Sequence, residues 1–185
     1  MSPASRRAFL GTLGAATVVL PELSFAAGQA GASYDLVING GRVIDPSQKL
    51  NGELDVAIAG GKIAAVATNI PANRAREVFD AKGKLVTPGL INVHAHLYRY
   101  GNTITVDPDG AGFPAGVTTA IDAGSSGANT FLGFRKYVID RQPLRIYAML
   151  NVAIIGNYGN ELYLNMSLIN AKSAIRIINE HKDRI

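Results

Sequence analysis

The chain of 185 residues contains no cysteine. Disulfides, thiolate metal ligands and a cysteine nucleophile are therefore excluded, and any metal must be held by histidine and carboxylate-type groups. Histidine is itself scarce, at three residues. Charge of one sign is also in short supply. Setting aside Arg6, Arg7 and Glu22 near the amino terminus reduces 18 basic and 14 acidic side chains to 16 and 13, scattered along the sequence. So mild an excess argues against a nucleic-acid partner. Glycine pairs occur, but no Gly-Lys-Ser/Thr follows at Walker spacing and no GxGxxG opens a helix, so they read as turn chemistry rather than a phosphate loop. No run beyond the first residues approaches the roughly twenty apolar positions that span a bilayer.

The amino terminus, "SRRAFLGTLGAATVVLPELSFAAGQA", pairs Arg6 and Arg7 ahead of Phe9 and Leu10 and reaches the small residues Ser24 and Ala26. The weakly apolar stretch from Ala8 to Leu20 is about thirteen residues, too short to anchor in a membrane. Residues 1–26 read as a twin-arginine export signal cut after Ala26. The expected mature protein is periplasmic or secreted and has no stable membrane anchor. The twin-arginine route carries folded cargo, which suits an enzyme loaded with metal before export.

Hydrophobic residues make up 48% and charged residues 17%, enough apolar material for one domain or slightly more. Residues 34–68 alternate as "YDLVINGGRVID" and "LDVAIAGGKIAAVA", and each run meets a glycine-containing pair, Asn39-Gly40 and Gly60-Gly61, predicting two tight hairpins. A polar segment with one strand near Glu77 to Asp80 follows. From Pro88 the texture changes. "GLINVHAHL", "AGVTTAIDAGS" and "LRIYAMLNVAIIG" read as strands, and "TFLGFRKYVIDR" as a helix. Ser167 to Asp183 reads as an amphipathic helix with Ala171, Ala174, Ile175 and Ile178 on one face. Strands alternating with helices predict an α/β fold with a parallel sheet, either open or the first part of an eight-stranded barrel.

Two of the three histidines, His94 and His96, close the apolar strand in "VTPGLINVHAHLYRYG". Side chains alternate along a strand, so these two share a face while Val93, Ala95 and Leu97 take the other. Paired imidazoles at a strand's carboxyl end, where α/β enzymes place their sites, suit a divalent ion bound through nitrogen at about 2.0 to 2.1 Å. Asp122, with Ser125, reads either as a substrate contact or as a turn and helix-capping group. Asn151 is a further candidate for the same mouth. Tyr98, Arg99 and Tyr100 follow the histidines and fit substrate contact and packing equally well. His181, near the chain end, reads as a solvated helix residue.

"YDLVINGGRVIDP", "GELDVAIAGGKIAAV", "VTPGLINVHAHLYRYG" and "AGVTTAIDAGSSGANTFLGFRKYVI" together resemble the amidohydrolase superfamily of metal-dependent hydrolases, nearest its dihydroorotase-like amidohydrolase/deacetylase group. The resemblance implies part of a small β-sandwich over residues 34–86. It also implies an incomplete (β/α)8 TIM-type barrel, about the first three strands, over residues 87–185. His94 and His96 become the first-strand ligands of one or two divalent ions, commonly zinc. The family's remaining ligands are a lysine, two histidines and an aspartate from later strands. They and the general base are expected beyond Ile185, because such a barrel takes about 250 residues and fewer than 100 follow Pro88. The sequence thus looks like an amino-terminal fragment, inactive alone.

Dihydroorotases of this pattern usually carry an arginine where Tyr98 stands, and Asn92 replaces a frequent aspartate. Both departures favour an amide hydrolase or deacetylase that cleaves a C–N bond of a small-molecule substrate with metal-activated water. A non-catalytic remnant and a periplasmic small-molecule binder are the rival readings.

Overall fold

The computed structural model describes residues 33–159 and 165–185; the export signal read at Arg6 and Arg7 lies outside the described residues. The chain divides into two compact units. The first takes in the described residues up to Val43 together with Gly52–Leu85, and the second Ile44–Asn51 together with Val86–Ile185.

The first sheet holds β1 (Tyr34–Asp45), β2 (Leu50–Ala59), β3 (Lys62–Ala67) and β4 (Ala75–Asp80) in the order β3-β2-β1-β4, with the two-residue β5 (Leu85–Val86) also paired to β1. The hairpin expected at Gly60-Gly61 is present. Ala59 faces Lys62 across it, and both glycines take positive φ, 56° and 72°, as a two-residue turn requires. The hairpin expected at Asn39-Gly40 is not. β1 runs on through both residues, pairing in parallel with β4 from Tyr34↔Ala75 to Asn39↔Asp80. Beyond the bend at Gly40 (φ 68°) it turns to the β5 side, where the Arg42 amide donates to the Lys84 carbonyl. The glycine bends one strand between two partners instead of folding it back on itself. Asp55, on β2 and 4% exposed, accepts from the amides of Gly40 and Ile70, each at 2.7 Å. Val37, Ala57, Ile70 and Ala75 form the apolar centre of this unit.

In the second unit, β6 (Leu90–Ala95), β7 (Val117–Gly127) and β8 (Arg145–Asn151) form a parallel sheet in the order β6-β7-β8. With α1 (Pro108–Ala111), α2 (Phe131–Tyr137) and α3 (Ala171–Glu180) they give the mixed α/β architecture that the alternating texture predicts. Leu97, Phe131, Phe134, Ile139, Ile146 and Ile177 are its most deeply buried apolar side chains. α3 buries one residue of the face expected, Ala174, and with it Ile177, whereas Ala171, Ile175 and Ile178 are exposed, the last two at 59% and 37%. The helix begins at Ala171, with the Asn170 side chain accepting from the Ser173 amide, and the core meets the i, i+3 pair nearest the sheet. Among the described residues no helix is long and apolar enough to cross a membrane.

His181 is likewise not solvated. It is half-buried, its ring lies 5.2 Å from that of Phe131, and its Nδ1 accepts from Arg135 Nη1 at 2.9 Å. Arg135 also grips Asp183 with two hydrogen bonds, at 2.9 and 2.7 Å, joining α2 to the segment after α3. The hydrogen bond from Arg135 holds the Asp183 carboxyl below its ordinary range, and the same partner raises the guanidinium. A carboxyl depressed on folding contributes stability that is present above about pH 4 and lost as the pH falls through its folded value. Urea midpoints measured from about pH 6 to about pH 2 are therefore expected to fall on the acid side, with Asp183→Asn flattening that fall. An acid limb unchanged by the substitution would rule the pair out as a contributor. The Asp183 carboxyl is exposed, so the effect is small.

Candidate functional site

β6 packs beside β7 in parallel, with Leu90 opposite Val117 and Ala95 opposite Asp122. The regular strand ends at Ala95, one residue before His96. Ala95 and Leu97 turn into the core, while His94 and His96 stay outside it. Their ring centres are 5.6 Å apart, with the planes at 82°. The two imidazoles therefore lie together, as alternation along a strand requires. Asn92 Oδ1 accepts from the His94 amide at 3.1 Å.

Both rings line a cleft of about 460 Å³ with Asn92, Ala95 and the segment Thr103 to Val106. Three ties hold that segment in place. The Val106 amide donates to the His96 carbonyl at 2.8 Å, and Asn102 Nδ2 donates to the Ser125 carbonyl at 3.1 Å. Arg99 pairs with Asp107. The sequence reading missed this wall. Its one local signal is Asn102, whose side chain accepts from the amide two residues on, at Ile104.

Behind the histidines sits Asp122, fully buried on β7. Its Oδ2 accepts from the Leu97 amide and its Oδ1 from the Ser125 amide, each at 2.7 Å. Burial pushes its carboxyl up, against the hydrogen bonds from Leu97 and Ser125 and the nearby His96. The expectation that Asp122 contacts substrate is thus corrected: both oxygens are committed to backbone, and the residue does not line the cleft. Ser125, also fully buried, places Oγ 3.1 Å from His96 Nδ1.

Tyr98 and Asn151 are also absent from the cleft lining. Tyr98 stacks on Phe134 at 4.8 Å and 27°, and burial, then Tyr158, raises its phenol. Alternation fails to predict its direction because the chain leaves the strand before it: Arg99 donates back to the Leu97 carbonyl and Gly101 to that of Tyr98. Asn151 uses its side chain to hold the turn after β8, donating to the Gly124 carbonyl and accepting from the Ala153 amide.

Two neutral imidazoles sharing one tetrahedral ion through nitrogens at about 2.0 to 2.1 Å have ring centres roughly 5 Å apart. The observed spacing fits. Among the described residues no three His, Cys, Asp or Glu side chains gather to complete a site, so the pair supplies a partial donor set. A catalytic ion usually takes about three protein ligands.

Residues 77–132, which include both histidines and Asp122, match the model of the amidohydrolase family. A deacetylase from Agrobacterium fabrum is 43% identical over 103 residues, 55% of this chain and 25% of the relative. A dihydroorotase from Aquifex aeolicus is 46% identical over 72 residues, 39% of this chain and 17% of that protein. The crystal structure of a dihydroorotase superposes with a TM-score of 0.71 at 31% identity, covering 81% of this chain and 40% of that one. The chain therefore spans well under half the length of each of these relatives.

Proposed function

Because the chain belongs to the amidohydrolase superfamily, we propose that it carries the first-strand part of a metal-dependent hydrolase that cleaves an amide C–N bond of a small molecule, in the manner of a deacetylase. The observation that carries this reading is the pair His94 and His96, ring centres 5.6 Å apart in one cleft at the carboxyl end of a parallel strand. We assign both as ligands of a divalent ion, zinc by the nature of the donors. When bound, such an ion polarises a carbonyl and lowers the pKa of water towards 7.

The chain's own residues hold and shape the place for that chemistry. His94 and His96 supply two neutral nitrogens, and Thr103 to Val106 wall the cleft. β6, β7 and β8 are read as the first three strands of a (β/α)8 barrel, and the first sheet as part of a β-sandwich. Deacetylase is favoured over dihydroorotase because neither residue after the histidines offers a free guanidinium for a substrate carboxylate: Tyr98 stacks on Phe134 and Arg99 pairs with Asp107. On the strength of Arg6 and Arg7, export by the twin-arginine route belongs to the same proposal.

Calorimetric titration of the chain with Zn²⁺ tests the ligand assignment. Substituting either histidine by alanine is expected to lower affinity at least tenfold, and the double variant to abolish binding. Binding of Zn²⁺ to the double variant as tightly as to the unaltered chain would overturn it.

A further inference from the structure

Resting on the reading of His94 and His96 as cation ligands, we propose that Ile104 and Val106 seat the acyl half of the scissile amide, and that they select a small, uncharged, aliphatic acyl group.

The wall that carries them is held by hydrogen bonds to its backbone. After β6 the chain loops out and returns at Val106, whose amide donates to the His96 carbonyl at 2.8 Å, so Thr103 to Val106 share one cleft with the histidine pair. Asn102 fastens the other end. Its Nδ2 donates to the Ser125 carbonyl and its Oδ1 accepts from the Ile104 amide, each at 3.1 Å. The segment is thus pinned at both ends, yet Ile104 and Val106 stay 55% and 52% exposed. Large apolar side chains on a fixed loop, in one cleft with convergent polar groups, are the usual lining of a preformed small-molecule site. Charge narrows the ligand further. Among the described residues, none that lines the cleft is Asp, Glu, Lys or Arg. The charged groups flanking the wall, Arg99 and Asp107, neutralise each other. A charged acyl group would give up water there without gaining a partner.

The chemistry of the bond decides which half of the amide faces the wall. Hydrolysis breaks the C–N bond, adds the hydroxyl of water to the acyl carbon and delivers a proton to the leaving nitrogen. A proton donor must therefore stand beside that nitrogen. Thr103 to Val106 carry no side chain that titrates near neutral pH. The leaving amine therefore turns away from them, and the acyl chain turns towards them.

Straight-chain carboxylates, the products of the acyl half, are the probes. The Zn²⁺-loaded 185-residue chain is titrated with acetate, butyrate, succinate and butylamine while the methyl resonances of Ile104 and Val106 are followed by NMR. Each methylene taken out of water strengthens binding by up to about fourfold, so butyrate is expected to bind at least about fivefold tighter than acetate and to shift both sets of methyls. Succinate, with the same four carbons and a second charge, is expected to bind no tighter than acetate. Ile104→Ala and Val106→Ala, both at exposed loop positions, should each lower the butyrate-to-acetate ratio by about twofold or more. Ile175→Ala, at an equally exposed position on α3, should leave it alone. Equal affinity for acetate and butyrate, succinate binding tighter than butyrate, wall shifts with butylamine but not with butyrate, or an Ile175→Ala effect as large as that of Ile104→Ala overturns the proposal. Zn²⁺ titration separates it from the reading on which it rests. If the double histidine variant loses Zn²⁺ but the unaltered chain does not prefer butyrate, the acyl seat fails and the ligand assignment stands. If the double variant binds Zn²⁺ as tightly as the unaltered chain, the ligand assignment itself fails and the acyl seat falls with it.

Discussion

Asp122→Ala is expected to cost the second unit about 3 kcal/mol or more in stability, since a hydrogen bond to a charged group contributes about 1.5 to 3 kcal/mol and this carboxylate accepts two from backbone amides. Both amides lie where the carboxylate is the partner the fold provides, so alanine leaves two donors without an acceptor in a buried setting. The loss is large against a typical domain stability of about 5 to 15 kcal/mol. Asp122→Asn keeps one acceptor but turns an amide donor towards the other N–H, so its cost should lie between the unaltered chain and alanine. Urea unfolding of the three proteins checks the order. A cost below about 1 kcal/mol for alanine would show that the amides find other partners and that the carboxylate does not clamp the strand end.

Phe134→Ala is the second large effect. Phe134 is fully buried on α2 beside Phe131, and truncating such a ring costs about 3 to 5 kcal/mol through lost burial and the cavity left behind. It also removes the face on which Tyr98 stacks, a contact worth about 0.5 to 1.5 kcal/mol beyond burial. Phe134→Leu should cost less, because most of the apolar volume stays. A double-mutant cycle with Tyr98→Leu separates the stacking from the core contribution. Zero coupling in that cycle would mean that Tyr98 is placed by something else. The close fit is visible at Gly133, where a Cβ would meet Tyr98 Oη at 2.7 Å.

How far the sequence could be read depended on how local each cause was. His94 and His96 were legible as neighbours because the two-residue period of a strand is a backbone property that needs no knowledge of the rest of the fold. The turn at Gly60-Gly61 was legible for the same reason. At Asn39-Gly40 the same chemistry served a bend, since a glycine at positive φ suits either purpose and the choice lies with β4 and β5, some forty residues on. The phase of α3 is only partly legible because several faces of "AKSAIRII" are apolar, and the cap at Asn170 and the position of the core decide which is used. Asp122 could be named as a residue of interest but not as a buried one, because its burial comes from lying on the middle strand between β6 and β8. Tyr98 and Asn151 fell where the strands stop, and periodicity stops with them.

Asp55 in the first sheet and Asp122 in the second share a device: one carboxylate bridging two backbone amides, at least one of them remote in sequence. Such a bridge proofreads strand alignment. A slip of one residue would swing the carboxylate to the opposite face of its sheet and leave both amides without their acceptor, so misaligned pairings are penalised twice over.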